Sequence, residues 1–282
     1  MRLVLLTWLA VLVQACAAAA ATGQGPPLDR TILHSIFAGC ERLHYAISWS
    51  GGIRIGDLVL EVMPADSGDG YAIRARVTDY GLFRLIYPVD DTFTTFVRGP
   101  LGLPYRYEVV QKEGRGKVTR RLTLYDQQQL VVRYRKNDQP WKIFHIAGPA
   151  YNEYSSFYAT RALPLASGRE DIVPAFVDGK RHEVVVSVLG REEKKTMFGT
   201  LPTIKVLPRM HFKGLYDKEG DTVFWLTDDV CRVPVEIRSK ILVGSLVAEL
   251  VDYSNERCDP RLPARQYVAA PADHRRPAAV PD

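Results

Sequence analysis

The sequence lacks the motifs by which many enzymes and metalloproteins are recognised. It has no G-x-S-x-G nucleophile turn, no phosphate-binding Walker loop and no Cys-x-x-Cys pair typical of a zinc ribbon or a thioredoxin-like site. Its 6 histidines are scattered, without the close spacing of metal ligands. After the N-terminal segment, no stretch is apolar enough to span a bilayer, which takes about 20 residues. These absences predict no cofactor, no metal site and no transmembrane segment in the mature chain.

A strong excess of one charge is also missing. The 282 residues include 37 basic and 32 acidic side chains, which gives a net charge of +5. That bias is smaller than nucleic-acid-binding domains usually show, so we expect no nucleic-acid partner. With 46% hydrophobic and 24% charged residues, the composition excludes a disordered, collagen-like or disulfide-scaffold protein and suits a globular one.

The N-terminal segment has the pattern of an export signal. The basic Arg2 precedes the apolar run Leu3–Val13, which is too short to span a bilayer and is followed by small residues. Two kinds of processing fit this pattern. The alanines before position 22 favour cleavage near Ala21, whereas Leu12–Cys16 resembles a bacterial lipoprotein box in which Cys16 is lipidated. We therefore expect a periplasmic protein, or one held at the outer membrane if Cys16 carries lipid.

Cysteine is scarce, with 4 residues in the chain. Export permits disulfides. A Cys231–Cys258 bridge would close a loop of modest length, and we state it as an expectation because sequence alone does not establish geometry.

Alternation of apolar and polar residues recurs from about Leu43 to Tyr253 and is broken by glycine-containing turns. This pattern predicts an all-β domain of many antiparallel strands that form a curved sheet, half-barrel or roll. One short helix is expected near 155–163, capped by Ser155 and Ser156 and ended by Pro164. The predicted organisation is a signal peptide over 1–21, a linker over 22–37, the β-rich domain over 38–253 and a disordered tail rich in Pro, Ala and Arg over 254–282.

Basic residues are concentrated between Lys112 and Lys142, where nine stand against three acids. Along predicted strands, Arg120 and Arg121 point to opposite faces, whereas Arg133 and Arg135 share a face. Such a cluster is typical of a solvated edge that discourages aggregation, or of a surface for anionic head groups or acidic polysaccharide.

Two acidic pairs, Asp90-Asp91 and Asp228-Asp229, follow or precede apolar runs. Adjacent acids at strand ends cap turns, bind ions or divide acid and base roles. The position of Asp228 and Asp229 between two apolar stretches favours a structural turn.

Several phrases together resemble domain-of-unknown-function family 3108, a group of exported bacterial proteins. They include GCERLHYAISWSGGIRIGDLVLEV, YPVDDTFTTF, QKEGRGKVTRRLTLYD, SSFYATRALPL, DGKRHEVVVSVLGRE and FWLTDDVCRVPVEIRSKILVGSLVAEL. The likeness spans about 38–251 and departs from the usual opening motif where Cys40 stands between Gly39 and Glu41. The resemblance implies export and a β-rich fold but carries no activity or catalytic residues. It directs attention to Arg161 and to the phrase from Trp225 to Asp229.

These features favour a non-enzymatic protein that binds an amphiphilic or anionic envelope ligand, such as anionic lipid or polysaccharide, in the concave face of its sheet. A structural or assembly factor that contacts another envelope protein is the alternative, and a carboxylate-dependent hydrolase is a second alternative. The candidate ligand-binding residues are Arg120, Arg121, Arg133, Arg135, Arg161, Trp225, Asp228 and Asp229.

Overall fold

In the described part of the chain, fourteen antiparallel strands form a single sheet. The computed structural model describes residues 25–66, 68–81, 88–114, 116–211, 222–241 and 244–261. The predicted signal peptide with Cys16, and the predicted tail beyond 261, lie outside the described residues. The all-β prediction and the curved, half-barrel architecture are confirmed.

The strands follow one another along the chain and mostly pair with their sequence neighbours. Across the sheet their order is β8-β7-β6-β5-β4-β3-β2-β1-β14-β13-β12-β11-β10-β9, so the first and last strands meet in the middle. Their bounds are β1 Arg42–Trp49, β2 Ile53–Pro64, β3 Tyr71–Asp79, β4 Asp90–Arg98, β5 Leu103–Glu113, β6 Lys117–Asp126, β7 Val131–Lys136, β8 Lys142–His145, β9 Glu170–Val177, β10 Lys180–Thr196, β11 Gly199–His211, β12 Thr222–Thr227, β13 Pro234–Lys240 and β14 Ser245–Ser254.

Strand direction divides the connections between two ends of the sheet. Because all the paired strands are antiparallel, the connections that follow odd-numbered strands lie at one end, which we call the upper end. The connections that follow even-numbered strands lie at the opposite, lower end. Residues far apart in sequence, such as those after β1, β7 and β13, are thereby brought to the same end.

Helix α2, which spans Glu153–Arg161, occupies the concave side of the sheet. Its Phe157 packs against clusters that contain residues of strands from both halves of the sheet, which requires the sheet to curve around the helix. The helix begins earlier than predicted, because Asn152 is the N-cap and forms a capping box with Ser155. Ser155 and Ser156 are therefore buried helical residues rather than caps.

A first helix, α1, spans Arg30–Ala38 and replaces most of the linker expected over 22–37. Asp29 caps it by accepting a 2.8 Å hydrogen bond from the Thr31 amide. The helix buries four apolar side chains against the lower ends of β2 to β4 and against α2: Ile32, Leu33, Ile36 and Phe37. The linker interpretation was wrong for this segment because the apolar side chains recur at helical spacing behind a capping aspartate.

The first residues of the segment predicted as a tail belong to the domain. Cys258 is buried and covalently bound, and the Asn255 side chain donates a 3.2 Å hydrogen bond to the Ser35 carbonyl oxygen of α1. Residues 254–261 are thus attached to the domain.

The two edge strands, β8 and β9, approach each other across a seam. No continuous ladder joins them within the described part of the chain; instead Tyr151 bonds to β9 through its own backbone. Its amide donates to the Pro174 carbonyl at 2.9 Å, and its carbonyl accepts from the Phe176 amide at 2.7 Å. The Tyr125 hydroxyl of β6 adds a 3.0 Å hydrogen bond to the Phe176 carbonyl. The open sheet is therefore held in a nearly closed shape.

Candidate functional site

The predicted site residues do not form one site, and Arg161 lies deepest. Its guanidinium is fully buried and makes two hydrogen bonds to Glu41, at 2.5 and 2.8 Å. The same group donates to the carbonyl oxygens of Arg232 at 2.9 Å and Cys231 at 3.2 Å. These contacts join the end of α2 to the start of β1 and to the turn before β13. The arrangement stabilises the fold and leaves no face of Arg161 open to solvent.

Asp229 organises the turn between β12 and β13. One of its carboxylate oxygens accepts hydrogen bonds from the Thr227 hydroxyl at 2.7 Å, the Cys231 amide at 2.9 Å and the Arg232 amide at 3.0 Å. Asp228 instead accepts from the Arg191 guanidinium at 2.9 Å. Both acids are engaged by their own chain, in the manner of a capped turn.

Replacing Asp229 by alanine should lower the free energy of unfolding by about 0.5–2 kcal/mol, because the turn amides lose their acceptor. Urea denaturation measures this change. The matched control is Asp228→Ala, which removes only a partly exposed ion pair and should cost about 0–1 kcal/mol. Equal stability of the wild type and the Asp229 variant would contradict the structural role.

The turn is also covalently anchored. Cys231 and Cys258 form a disulfide with a sequence separation of 27, and both side chains are buried. The bridge ties the segment that follows β14 to the β12–β13 turn. Cys40 carries a free thiol.

Trp225 is buried among charged groups of its own chain. The Lys194 and Lys205 ammonium groups lie 4.5 and 5.1 Å from the centroid of its ring, and the Arg238 guanidinium lies 5.5 Å away. The indole N–H donates to Glu192 at 2.5 Å. These contacts hold the tryptophan in place through cation–π attraction and a hydrogen bond. They leave it little surface for a ligand.

Arg121 faces the seam rather than the solvent. It forms an ion pair with Asp178, at the turn after β9, and donates to the Gln111 side chain at 2.8 Å. It therefore links the β6 side of the seam to the β9 side. As alternation predicts, Arg121 and Arg120 point to opposite faces of the sheet.

Arg120, Arg133 and Arg135 share the outward face of the sheet. Leu122 and Leu124 follow Arg120 at every second position of β6, and the register places Arg135 opposite Leu122 and Arg133 opposite Leu124. None of the ion pairs among the described residues includes these three arginines. Their charge is available to a ligand. We call this set, with the two leucines, the outer arginine surface.

Apolar side chains complete the outer arginine surface. Ile143 of β8 pairs with Arg133 and is 62% exposed, and Val118 at the start of β6 is also exposed. The Arg135 guanidinium lies 4.7 Å from the ring centroid of Trp141, an exposed aromatic residue. Trp141 and Ile143 were not predicted from the sequence; Trp141 follows a run of polar residues, where an apolar side chain has no core partner nearby, whereas Ile143 stands in an apolar stretch and gives no such signal.

Shallow clefts open on this surface. One of about 590 Å³ is lined in part by Val118, Arg120, Leu122 and Arg135, together with two acids, Asp138 and Glu108, of which Glu108 forms an ion pair with Arg106. A second of about 480 Å³ is lined in part by Arg98, Tyr105, Leu124 and Arg133. Guanidinium groups and apolar walls therefore occur side by side in both clefts.

Glu153, which no sequence pattern indicates, is half-buried beside the seam, with one carboxylate oxygen inaccessible to solvent. Burial raises the pKa of its carboxyl from 4.5 to about 7; the Asp178 carboxylate acts in the same direction, and Arg121 opposes it. The tyrosines that face this region are Tyr107, Tyr125, Tyr134 and Tyr154.

The raised pKa of Glu153 predicts a pH dependence of stability. Between pH 4.5 and about 7 the folded chain keeps a proton that the unfolded chain releases, so the free energy of unfolding falls as pH rises through this range. Each unit by which folding raises a pKa corresponds to a change of about 1.4 kcal/mol in the free energy of unfolding. Urea denaturation at pH 5 and pH 7.5 should show that Glu153→Gln removes this part of the slope. An unchanged slope in the variant would contradict the buried, neutral carboxyl.

Among the described residues, no group of three or more His, Cys, Asp or Glu side chains comes together in a way that could hold a metal ion. In the same part of the chain, no helix has the length and apolar character needed to cross a membrane.

Comparisons with known proteins agree with the fold. Residues 44–251 match the family model described as "Protein of unknown function (DUF3108)". A similar solved structure is that of a β-barrel-like protein of domain-of-unknown-function family DUF1849 from Brucella abortus, with a TM-score of 0.55 and 12% identity. The alignment covers 77% of this chain and 97% of that one. Comparison with curated proteins gave no sequence match.

Proposed function

Since the chain belongs to the DUF3108 family, whose description assigns no function, we propose from its own side chains that it is an exported, non-enzymatic protein that binds an anionic amphiphile on the outer arginine surface. The observation that carries this proposal is the position of Arg120, Arg133 and Arg135 on one outward face, outside the ion pairs of the described residues.

The concave face offers a ligand less room than the sequence suggested. Tyr45 is fully buried there, and its hydroxyl donates to the Pro234 carbonyl at 2.7 Å. Tyr71 stacks on Phe37 with ring centroids 5.4 Å apart. Because α2 packs inside the curved sheet, these aromatic side chains are part of the hydrophobic core and do not line a binding cavity. The outward face is therefore the better candidate for ligand binding.

The mixture of groups on this face favours an amphiphile over a purely polar polyanion. Arginine presents a planar guanidinium that matches phosphate and carboxylate oxygens. Leu122, Leu124 and the exposed Ile143 lie between and beside the guanidinium groups, and each can contact a hydrocarbon chain. An anionic head group bonded to arginine beside an acyl chain on leucine uses both features.

The contacts of Asp228 and Asp229 disfavour the hydrolase alternative. Asp228 is paired with Arg191, and Asp229 binds the backbone amides of its turn. A glycosidase-like mechanism needs two carboxyl groups about 5–9.5 Å apart that face one cleft and are available to substrate.

The N-terminal basic residue, apolar run and small residues support export.

Vesicle flotation tests the proposal. The protein is exported as a Cys16→Ser variant, so that no acyl anchor contributes to binding. Near an anionic surface each basic side chain contributes about 1 kcal/mol, so the change of Arg120, Arg133 and Arg135 to Gln should weaken binding to anionic vesicles by about 100-fold at low salt. High salt should weaken wild-type binding in the same way, because the charges are exposed.

A matched control removes three exposed cations from elsewhere on the protein. Arg74 and Lys195 lie on β3 and β10, Arg257 follows β14 at the lower end, and their change to Gln lowers the net charge by the same amount. This control should retain most of the binding. An equal loss of vesicle binding in both variants would show that net charge alone causes the binding. Full binding by the outer-surface variant would contradict the proposal.

A further inference from the structure

Exposed aromatic side chains are confined to one end of the sheet. Among the described residues, Trp49, Tyr80 and Trp141 are the aromatic residues classed as exposed, at 41%, 46% and 40%. Trp49 ends β1, Tyr80 follows β3, and Trp141 lies between β7 and β8. All three therefore lie at the upper end. Exposed aromatic residues that contact nothing should be found at either end of the sheet. The presence of all three at the upper end therefore indicates a shared binding surface.

Two exposed isoleucines belong to the same end. Ile53, 57% exposed, pairs across the β1–β2 turn with Trp49. Ile241 follows β13, and its amide bonds to the Gly244 carbonyl at 3.2 Å. The Ser50 amide donates to the Ser245 carbonyl at 2.7 Å, which holds the β1–β2 and β13–β14 turns side by side. We call Trp49, Ile53, Tyr80, Trp141 and Ile241 the upper rim.

Cations accompany the aromatic residues of the upper rim. The Arg54 guanidinium, which is also ion-paired with Asp57, lies 4.1 Å from the ring centroid of Tyr80, and Arg135 stands in the same relation to Trp141 at 4.7 Å. Exposed lysines at the same end are Lys136, Lys142 and Lys240. Tryptophan and tyrosine settle at the head-group level of bilayers, and basic side chains are attracted to anionic lipid surfaces. The rim combines both properties and so complements an anionic bilayer surface.

The rim is continuous with the outer arginine surface. Arg135 belongs to that surface and contacts Trp141 of the rim. Arg120 lies near the start of β6, which is the upper end of that strand. A bilayer in contact with the rim would therefore present its head groups to the same arginines.

We propose that the upper rim docks the protein end-on against an anionic bilayer surface, with Trp49, Tyr80 and Trp141 at the head-group level. This inference rests on the proposed function and deepens it, because it identifies the anionic amphiphile as lipid within a bilayer. The opposite end, where the disulfide and the β12–β13 turn lie, points away from the membrane.

The test uses the exported Cys16→Ser protein and vesicles of phosphatidylglycerol and phosphatidylcholine, with or without brominated acyl chains, which quench nearby tryptophan. Docking predicts quenching of Trp49 and Trp141 but not of the buried Trp225. A Trp225→Phe variant should therefore keep the quenching, and a Trp49→Phe, Trp141→Phe variant should lose it. Absence of quenching in wild-type protein that floats with the vesicles would overturn end-on docking.

Flotation of a rim variant adds a second readout. Changing Trp49, Tyr80 and Trp141 to Ser should weaken binding to anionic vesicles at least tenfold, with folding checked by circular dichroism. The matched control changes Ile172, Leu189 and Val251 to Ser; these residues are 50%, 50% and 46% exposed and lie within β9, β10 and β14, away from the upper ends of those strands. The control should bind within twofold of wild type.

The outcomes separate the two proposals. If the outer-surface arginine variant loses binding while the rim variant binds normally, the proposed function stands and end-on docking is wrong. If neither variant changes binding, both proposals fail. Should the rim variant misfold, the quenching of the Phe variants decides the question alone, because Trp→Phe changes keep an aromatic ring.

Discussion

Replacing Arg161 by methionine is expected to lower the free energy of unfolding by about 3–5 kcal/mol, the usual cost of leaving one partner of a buried ion pair alone. Both the Arg161 and Glu41 side chains are inaccessible to solvent. Without the guanidinium, the Glu41 carboxylate and the carbonyl oxygens of Cys231 and Arg232 lose their donors. Urea denaturation at neutral pH measures the effect.

Two further variants make this prediction specific. Arg76→Met removes an exposed arginine whose partner, Asp90, is itself partly exposed, and it should cost about 0–1 kcal/mol. A double change of Glu41 and Arg161 to Met should be less destabilising than the sum of the single changes, because no uncompensated charge is left buried. A loss under 1 kcal/mol for Arg161→Met alone would show that the buried pair does not hold α2 to β1.

The second large effect concerns the disulfide. Changing Cys231 and Cys258 to Ala should lower the free energy of unfolding by about 3–4 kcal/mol, because a bridge that closes a loop of 27 residues restricts the unfolded chain. The loss should also free the segment after β14 from the β12–β13 turn. Thermal and urea denaturation of the oxidised protein and the variant measure the difference.

The free Cys40 provides the control for the disulfide. Cys40→Ala removes a thiol but no bridge, and it should change stability by about 0.5 kcal/mol or less. Reduction of the wild type should reproduce the double variant, whereas reduction of the double variant should change nothing. If the oxidised and reduced wild type unfolded at the same urea concentration, the bridge would not contribute to stability.

The strand pattern could be predicted because it is local. Period-two alternation is present in each strand, and within β2 the apolar phase switches across Gly56, a pattern typical of a β-bulge. The register indeed slips there: Ile47 pairs with Gly56, but Ser48 pairs with Arg54. A side chain at position 56 would bring its Cβ within 2.6 Å of the Thr78 carbonyl oxygen, so the neighbouring strand requires glycine.

The partners of buried polar residues could not be predicted in the same way. Arg161 and Glu41 are 120 residues apart in sequence, and only the packing of α2 inside the curved sheet brings them together. The same holds for Arg121 and Asp178 across the seam. Helix α1 was not predicted for a different reason. The Gly-Pro-Pro segment just before it is typical of a linker, although Asp29 and the apolar residues after it give a helical signal.

The location of charge was predicted better than its partners. The basic stretch from Lys112 to Lys142 was evident from composition, and alternation separated Arg120 from Arg121. Which of these cations is engaged depends on tertiary contacts, since Asp178 comes from another hairpin. Among the described members of this basic cluster, Lys112 and Arg121 are ion-paired with Asp90 and Asp178, whereas Arg120, Arg133 and Arg135 share one outward face with leucine.

Hydrogen exchange measured by mass spectrometry, on the exported Cys16→Ser protein with and without anionic vesicles, tests the central claim most directly. Binding on the outer arginine surface predicts slower exchange in β6, β7 and β8 when vesicles are added, with no change in α2. Protection of α2 and of the core strands around Tyr45, with β6 to β8 unchanged, would place the ligand inside the sheet and contradict this account.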